Sequence, residues 1–160
     1  MPSPKWLVSF NGSMRALLQR VSQASVTVDG CVTGKIGCGL VVFLGVGRCD
    51  TESHAHRVAQ KIVQLRIFPD AEGRMNRSLG DVAGELLIVS QFTLYADSTR
   101  GNRPSYSEAA KPDIAERLYT FFVSACRAKG FRVATGIFQA PMQVQLVNEG
   151  PVTIMYDSES

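Results

Sequence analysis

Histidine is nearly absent: the 160 residues hold two, His54 and His56. Set two apart on a stretch of helical pattern, they point to different sides and cannot share one metal ion or face one nucleophile. A Ser-His-Asp or Cys-His site would therefore need one of them delivered from afar. The four cysteines, Cys31, Cys38, Cys49 and Cys126, lack C-x-x-C spacing, so no zinc module is encoded. No export signal accompanies them, and reduced thiols in a cytoplasmic protein are the simplest account. Cys126 falls on an apolar helix face, where small buried thiols are common. The longest uncharged apolar stretch, Cys38 to Gly47, is half of the roughly 20 residues a membrane-spanning helix needs, so no membrane partner is expected. There is no Lys/Arg run, and a net charge of +3 permits contact with a polyanion without demanding it. A dinucleotide fingerprint fails too: Gly45 and Gly47 follow the apolar run, but Asp50 stands where a third glycine belongs. Nothing in this inventory requires a metal or a cofactor.

What is present suits one compact domain. With 45% hydrophobic and 19% charged residues, 160 positions can bury one sizeable core and are too few for two ordinary domains. Residues 1–13 read as an N-terminal extension, with Pro2, Pro4, Asn11, Gly12 and Ser13 around a short apolar patch at Trp6 to Phe10. The extension has one Lys, no Arg and too few apolar residues for a secretory core. Patterned sequence follows Met14 directly, which fits a disordered leader or an alternative start, and residues 14–160 form the domain.

Along the domain, Leu17, Val21, Val26 and Val28 alternate with polar residues in a strand over Arg15 to Val28. Asp29-Gly30 supplies a hairpin turn and the chain returns through Val32 and Ile36. Gly39 to Val46 reads as a strand buried on both faces. Asp50 and Thr51 cap a helix over Glu52 to Ile67, with Val58, Ile62 and Leu65 on one stripe. A loop or loose hairpin over Asp70 to Asp81 precedes a strand at Glu85 to Phe92. Pro112 opens a second helix that buries Ile114, Leu118, Phe121, Phe122 and Cys126 or Ala125, and Gly130 stops it. Three further strands are expected at Phe131 to Thr135, Met142 to Val147 and Val152 to Tyr156. The total is an α+β domain, its strands mostly antiparallel and hairpin-linked, with two packed helices.

Two segments exceed what core packing requires. In Ser90-Gln91-Phe92-Thr93-Leu94 a buried strand ends in side chains that donate and accept hydrogen bonds. Strand caps and a binding site are both open on local sequence. In Asn148-Glu149-Gly150-Pro151-Val152-Thr153, Gly before Pro leaves the peptide bond free to be cis at modest cost. That segment reads either as an ordinary turn between strands or as a rigid backbone clamp.

Together the two segments resemble the D-aminoacyl-tRNA deacylase family, whose signatures S-Q-x-x-L and N-x-G-P-V-T stand here in the family's order and spacing. The resemblance covers Met14 to about Tyr156, including Arg100 to Ser105, R-G-N-R-P-S. It implies a barrel-like fold and a homodimer in which each Gly-cis-Pro dipeptide enters the partner's active site. Gly150 and Pro151 would bind substrate by admitting the α-hydrogen and amino group of a D-residue and colliding with an L side chain. Glycine has no side chain to collide, so glycyl-tRNA is implied as a second substrate. The catalytic group would be Ser90, Gln91, Phe92 and Thr93: amide hydrogens of this turn forming an oxyanion-type pocket, Gln91 orienting the ester, and Thr93 without a base to activate it. The tRNA's 2′-hydroxyl or a positioned water is favoured as the reacting group. By the same resemblance Phe138, Ala140 and Met142 would hold the 3′-terminal adenine, and Arg20 would brace the Gly-Pro loop. The family usually has glycine where Gln139 stands and a polar residue at Pro141; Glu149 replaces a more usual Asp.

Two other functions compete with the deacylase. A nucleic-acid-binding module needs cationic surface and has no use for the pairing of Gln91 to Thr93 with Gly150-Pro151. A hydrolase of another small ester or nucleotide would use Thr93 directly, and Thr93→Val would abolish it.

Overall fold

The computed structural model describes residues 13–159. The expected extension lies outside the described residues except for Ser13, which is buried. The elements run β1 (Arg15–Val28), β2 (Cys31–Ile36), β3 (Gly39–Gly45), α1 (Glu52–Gln64), β4 (Phe68–Pro69), β5 (Met75–Arg77) and β6 (Glu85–Ser90). They continue with a 3-10 turn (Phe92–Tyr95), α2 (Pro112–Ala128), β7 (Val133–Thr135) and β8 (Gln143–Asp157).

The main sheet is ordered β2-β1-β3-β6-β7, with β8 also paired to β1. β1 pairs antiparallel with β2, β3 and β8, while β3–β6 and β6–β7 are parallel. α1 and α2 therefore lie in crossover connections, where hairpin links were expected. Both helices pack against one face and against each other, so the fold remains α+β with most pairings antiparallel. The sheet curls until β2 reaches β7. At Gly34 an added Cβ would sit 2.5 Å from the Thr135 carbonyl oxygen, so only glycine allows this closure into a nearly complete barrel.

β1 explains why one long strand serves two cores. Ala16 and Leu18 are buried, then Val21, then Ala24, Val26 and Val28, so the period of two slips on either side of Val21. The slips coincide with the register shifts against β8. Before them, Met14, Ala16 and Leu18 meet the helices, together with Leu40, Val42, Leu44, Leu86 and Ile88. After them, Val21, Ala24, Val26 and Val28 join Ile36, Val41, Leu87 and Val89 inside the curl. Alternate residues of β3 and β6 thus enter different cores, which is why both strands are continuously apolar.

Element boundaries change as well, and the expected strand to Val46 ends at Gly45. α1 stops at Gln64 instead of Ile67: Leu65 is extended (φ −60°, ψ 130°), and Pro69 disfavours helix at Phe68. β6 ends at Ser90, and Phe92 begins the 3-10 turn instead of finishing the strand. The strand at Phe131 starts at Val133. The last two expected strands are one, β8, which passes through Gly150-Pro151 without a turn. Proline is accepted there because four residues of β8 face one gap in the β1 register, between Gln19↔Thr153 and Val21↔Asn148, so Pro151 stands outside the ladder. Asp29 (φ 49°) and Gly30 (φ 77°) form the expected tight hairpin turn.

Candidate active site

β6 is buried from Leu86 to Val89 and delivers Ser90 and Gln91 to its C-terminal end. The Gln91 amide donates to the Leu44 carbonyl at 2.8 Å, which holds the strand end against β3. The chain then tightens into the 3-10 turn, closed by Leu94 N–H to Gln91 O (3.3 Å) and Ala96 N–H to Thr93 O (3.0 Å). A helix start leaves its first N–H groups without intrahelical partners, and here these belong to Phe92 and Thr93. The Gln91 side-chain amide donates to the Thr93 hydroxyl, so the two side chains are held as a pair. Arg15 anchors the end of the turn, donating to the Leu94 carbonyl at 2.8 Å and lying 4.9 Å from the Tyr95 ring centre.

A cavity of about 650 Å³ opens beside this strand end. Ser90, Gln91 and Phe92 form one wall, and Phe138, Ala140 and Met142 form another. Tyr106, Ala109 and Ala110 close a third side. Tyr106 meets Phe92 edge-to-face, with ring centres 5.0 Å apart and planes at 71°. Sequence reasoning missed this third wall. Tyr106 follows the R-G-N-R-P-S stretch in a loop without periodicity, and only the pinning of Asp97 to Ser105 (2.8 and 2.9 Å) brings it over the cavity. Among the described residues that line the cavity, Tyr106 alone is titratable. The walls can polarise and orient a substrate but supply no carboxylate or imidazole.

Gln139 occupies the left-handed region at φ 66°, which explains structurally why a glycine suits that position. The Ala140 N–H donates to Ile137 O at 3.2 Å and tightens the bend that presents Phe138 and Ala140.

Arg20, Gly150 and Pro151 do not line this cavity, and neither does Thr93. Gly150 and Pro151 are exposed on the bulge of β8, joined by a cis peptide bond. Asn148 ties the bulge at its base: its Oδ1 accepts from Val152 N–H at 2.7 Å, and its Nδ2 donates to Val152 O and Thr153 Oγ1 at 3.2 and 3.1 Å. Arg20 holds it from β1, with Nε donating to Glu149 O at 2.8 Å and Nη1 to Ile67 O at 2.7 Å. Gly150 has φ 140°, and a Cβ there would lie 3.0 Å from Arg20 Nη2 and 2.9 Å from a Val152 methyl. Side chains are excluded from this position by conformation and by space.

His54 does not line the cavity and caps α1, its Nδ1 accepting from the Thr51 N–H at 3.0 Å. No group of three His, Cys, Asp or Glu able to hold a metal ion occurs among the described residues. Burial pushes the Cys126 thiol up to about 12, which suits packing and not nucleophilic attack. No helix among the described residues is long and apolar enough to cross a membrane.

Comparison with known proteins gives the family. The family model described as D-Tyr-tRNA(Tyr) deacylase matches residues 17–157. The chain belongs to the D-Tyr-tRNA(Tyr) deacylase family. A D-aminoacyl-tRNA deacylase of Desulfitobacterium hafniense (strain DSM 10664 / DCB-2) is 56% identical over 146 residues, 91% of this chain and 98% of that protein. A D-aminoacyl-tRNA deacylase of Roseiflexus castenholzii (strain DSM 13941 / HLO8) is 59% identical over 145 residues, covering 91% and 92%. Among solved structures, one titled c-Myc DNA Unwinding Element Binding Protein superposes with a TM-score of 0.83 at 40% identity, covering 89% of this chain and 97% of its own. A probable eukaryotic D-amino acid tRNA deacylase shares the fold, with a TM-score of 0.79 at 20% identity and coverage of 91% and 99%. A deacylase of this family is a hydrolase, and the cavity at the end of β6 is its candidate active site.

Proposed function

We propose that the protein hydrolyses the ester of D-aminoacyl-tRNA, and of glycyl-tRNA, releasing the free amino acid and tRNA as chiral proofreading in the cytoplasm. The observation that carries the reading is a substrate-sized cavity with polar backbone and amide groups on one wall and no ionisable base. Phe138, Ala140 and Met142 provide an apolar wall for the terminal adenine. The aminoacyl ester then reaches Ser90 to Thr93. N–H groups at the start of the 3-10 turn stabilise the developing oxyanion, where each such donor contributes about 3 kcal/mol. Gln91 orients the ester through the same amide that holds Thr93. The oxygen of a water, assisted by the neighbouring ribose 2′-hydroxyl, adds to the carbonyl carbon. The bond from that carbon to the ribose oxygen breaks, and the ribose oxygen takes up a proton.

Chirality is selected by Gly150-Pro151 of a second copy. Gly150 and Pro151 are exposed and rigidly tied, yet absent from the cavity of their own chain, so a homodimer is required to bring them to a site. Their backbone leaves room for the α-hydrogen of a D-residue and none for an L side chain. Similarity to the c-Myc DNA Unwinding Element Binding Protein supports a DNA-binding module less well, because such a module uses neither Gln91 nor the Gly-Pro bulge.

Subunit complementation tests the arrangement. A Gln91→Ala chain and a Gly150→Ala/Pro151→Ala chain are each expected to be markedly weakened. Mixed after dissociation, they should recover roughly a quarter of wild-type activity, since half the dimers are mixed and each has one complete site. No recovery in demonstrably mixed dimers would refute the exchange of Gly-Pro between subunits.

A further inference from the structure

Asp50 takes no part in the chemistry above, yet it is the one acidic residue buried among those described, with a side chain 1% exposed. Its Oδ2 accepts from Gly47 N–H at 2.6 Å. The Met14 N–H is a second and weaker donor toward its carboxylate, behind Gly47. Around it stand His54 from α1, Asp157 and Glu159 from the end of the chain, Tyr95 from the 3-10 turn and Arg15 from β1. Its ion-pair partner is His54, a cation only when protonated. His54 Nδ1 is 3.9 Å away but is occupied in accepting from Thr51, and Arg15 is engaged with Asp157 at 3.5 Å. Burial first, then the two nearby carboxylates, push the Asp50 carboxyl up to about 7 against the opposing bonds from Gly47 and Met14.

The Met14 nitrogen has the complementary mismatch. Met14 is fully buried, and its N–H donates to Ser158 Oγ at 3.0 Å while also facing Asp50. An amide has one hydrogen for these two acceptors. An ammonium would have three, together with the positive charge that a buried carboxylate needs.

We propose that this pocket is a receptor for an α-ammonium group at Met14, with Asp50 as its counter-ion and Ser158 Oγ as a second acceptor. Initiation at Met14 produces that group directly. Hydrolysis of the Ser13–Met14 bond by a peptidase produces it as well, water supplying the Ser13 carboxyl and the Met14 amine. Losing Ser13 costs little: its carbonyl accepts from the Tyr95 hydroxyl, and that same hydroxyl reaches Gly45 O at 3.0 Å with only one hydrogen to give. Every described helix and strand, and both cores, lie within residues 14–159, so a chain starting at Met14 keeps all of these elements.

The test compares thermal unfolding of the 160-residue protein with that of a chain starting at Met14. At pH 7 the shorter chain is expected to melt higher by roughly 5 °C or more. The gap should close when Asp50→Asn is placed in both chains, and also above pH 9, where an α-amino group loses its proton. In the long chain the raised Asp50 favours folding when protonated, so stability falls as pH rises from about 4 toward 7. In the short chain the pair holds through that window. Should Asp50→Asn fail to fold, α-N-acetylation of the short chain removes the same charge and should also close the gap. Equal melting of the two chains at pH 7, or a gap that survives loss of either charge, overturns the proposal. A Met14→Leu variant made from the natural gene separates the two sources: the short form disappears if it arises by initiation and persists if it arises by cleavage. These readouts are of stability and chain mass, so they succeed or fail independently of the catalytic reading.

Discussion

Replacing Arg20 by Met should separate the stability of the domain from the placement of its Gly-Pro bulge. Arg20 donates from two nitrogens to two carbonyls, those of Glu149 on the bulge and Ile67 beyond α1. Met keeps much of the side-chain volume and removes both donors. Bonds from a charged donor contribute about 1.5–3 kcal/mol each, and the exposure of the Glu149 bond puts its share below that range, so the pair contributes about 2–3 kcal/mol together. At about 2–4 °C per kcal/mol for a domain of this size, the melting temperature should fall by about 4–12 °C. The catalytic consequence should be larger. A bulge freed by about 1 Å misplaces the backbone that selects the D-residue, and such an error costs on the order of 100-fold. The loss should appear in kcat for D-Tyr-tRNA, with KM changed little, because the adenine wall is untouched. Arg20→Lys, whose single ammonium can serve one carbonyl, should fall between. Steady-state deacylation at least 15 °C below the variant's melting point reads the effect. A variant that melts lower but retains kcat within twofold would refute Arg20 as a positioning residue and leave it a structural one.

Gln139→Gly should stabilise the domain by about 0.5–1 kcal/mol by relieving a left-handed residue, the penalty there exceeding the entropy glycine loses, and denaturant titration would show it. Thr93→Val should lose activity only in part, roughly tenfold, since the hydroxyl serves to hold Gln91; complete loss would favour direct attack by Thr93. A thiol reagent at neutral pH should label exposed Cys31, Cys38 and Cys49 quickly and buried Cys126 only on unfolding. Fast native labelling at Cys126 would contradict the packing of α2.

Much of the fold is legible in the sequence wherever one period holds for a whole element. The alternation of β1, the unbroken apolar run of β3 and the 3.6-residue stripe of α2 each announce their element, and Asp29-Gly30 announces its turn. The parallel pairing is less visible, because the small β4–β5 hairpin interrupts the strand-helix-strand rhythm between β3 and β6. Phe92 to Tyr95 extends the apolar pattern of β6, so a 3-10 turn there has no local signal. Gly150-Pro151 reads as a turn because its accommodation depends on a register gap in β1, more than a hundred residues away. The cavity is legible in two of its walls, Ser90 to Phe92 and Phe138 to Met142, through the motifs. The wall carrying Tyr106 is not, since only tertiary pinning of its loop places it.

The most direct test of the account is deacylation of D-Tyr-tRNA and L-Tyr-tRNA by the purified protein, alongside a Gly150→Ala/Pro151→Ala variant. The account predicts rapid loss of the D-ester alone and marked weakening of that reaction in the variant; cleavage of neither ester above background, or of both equally, would contradict it.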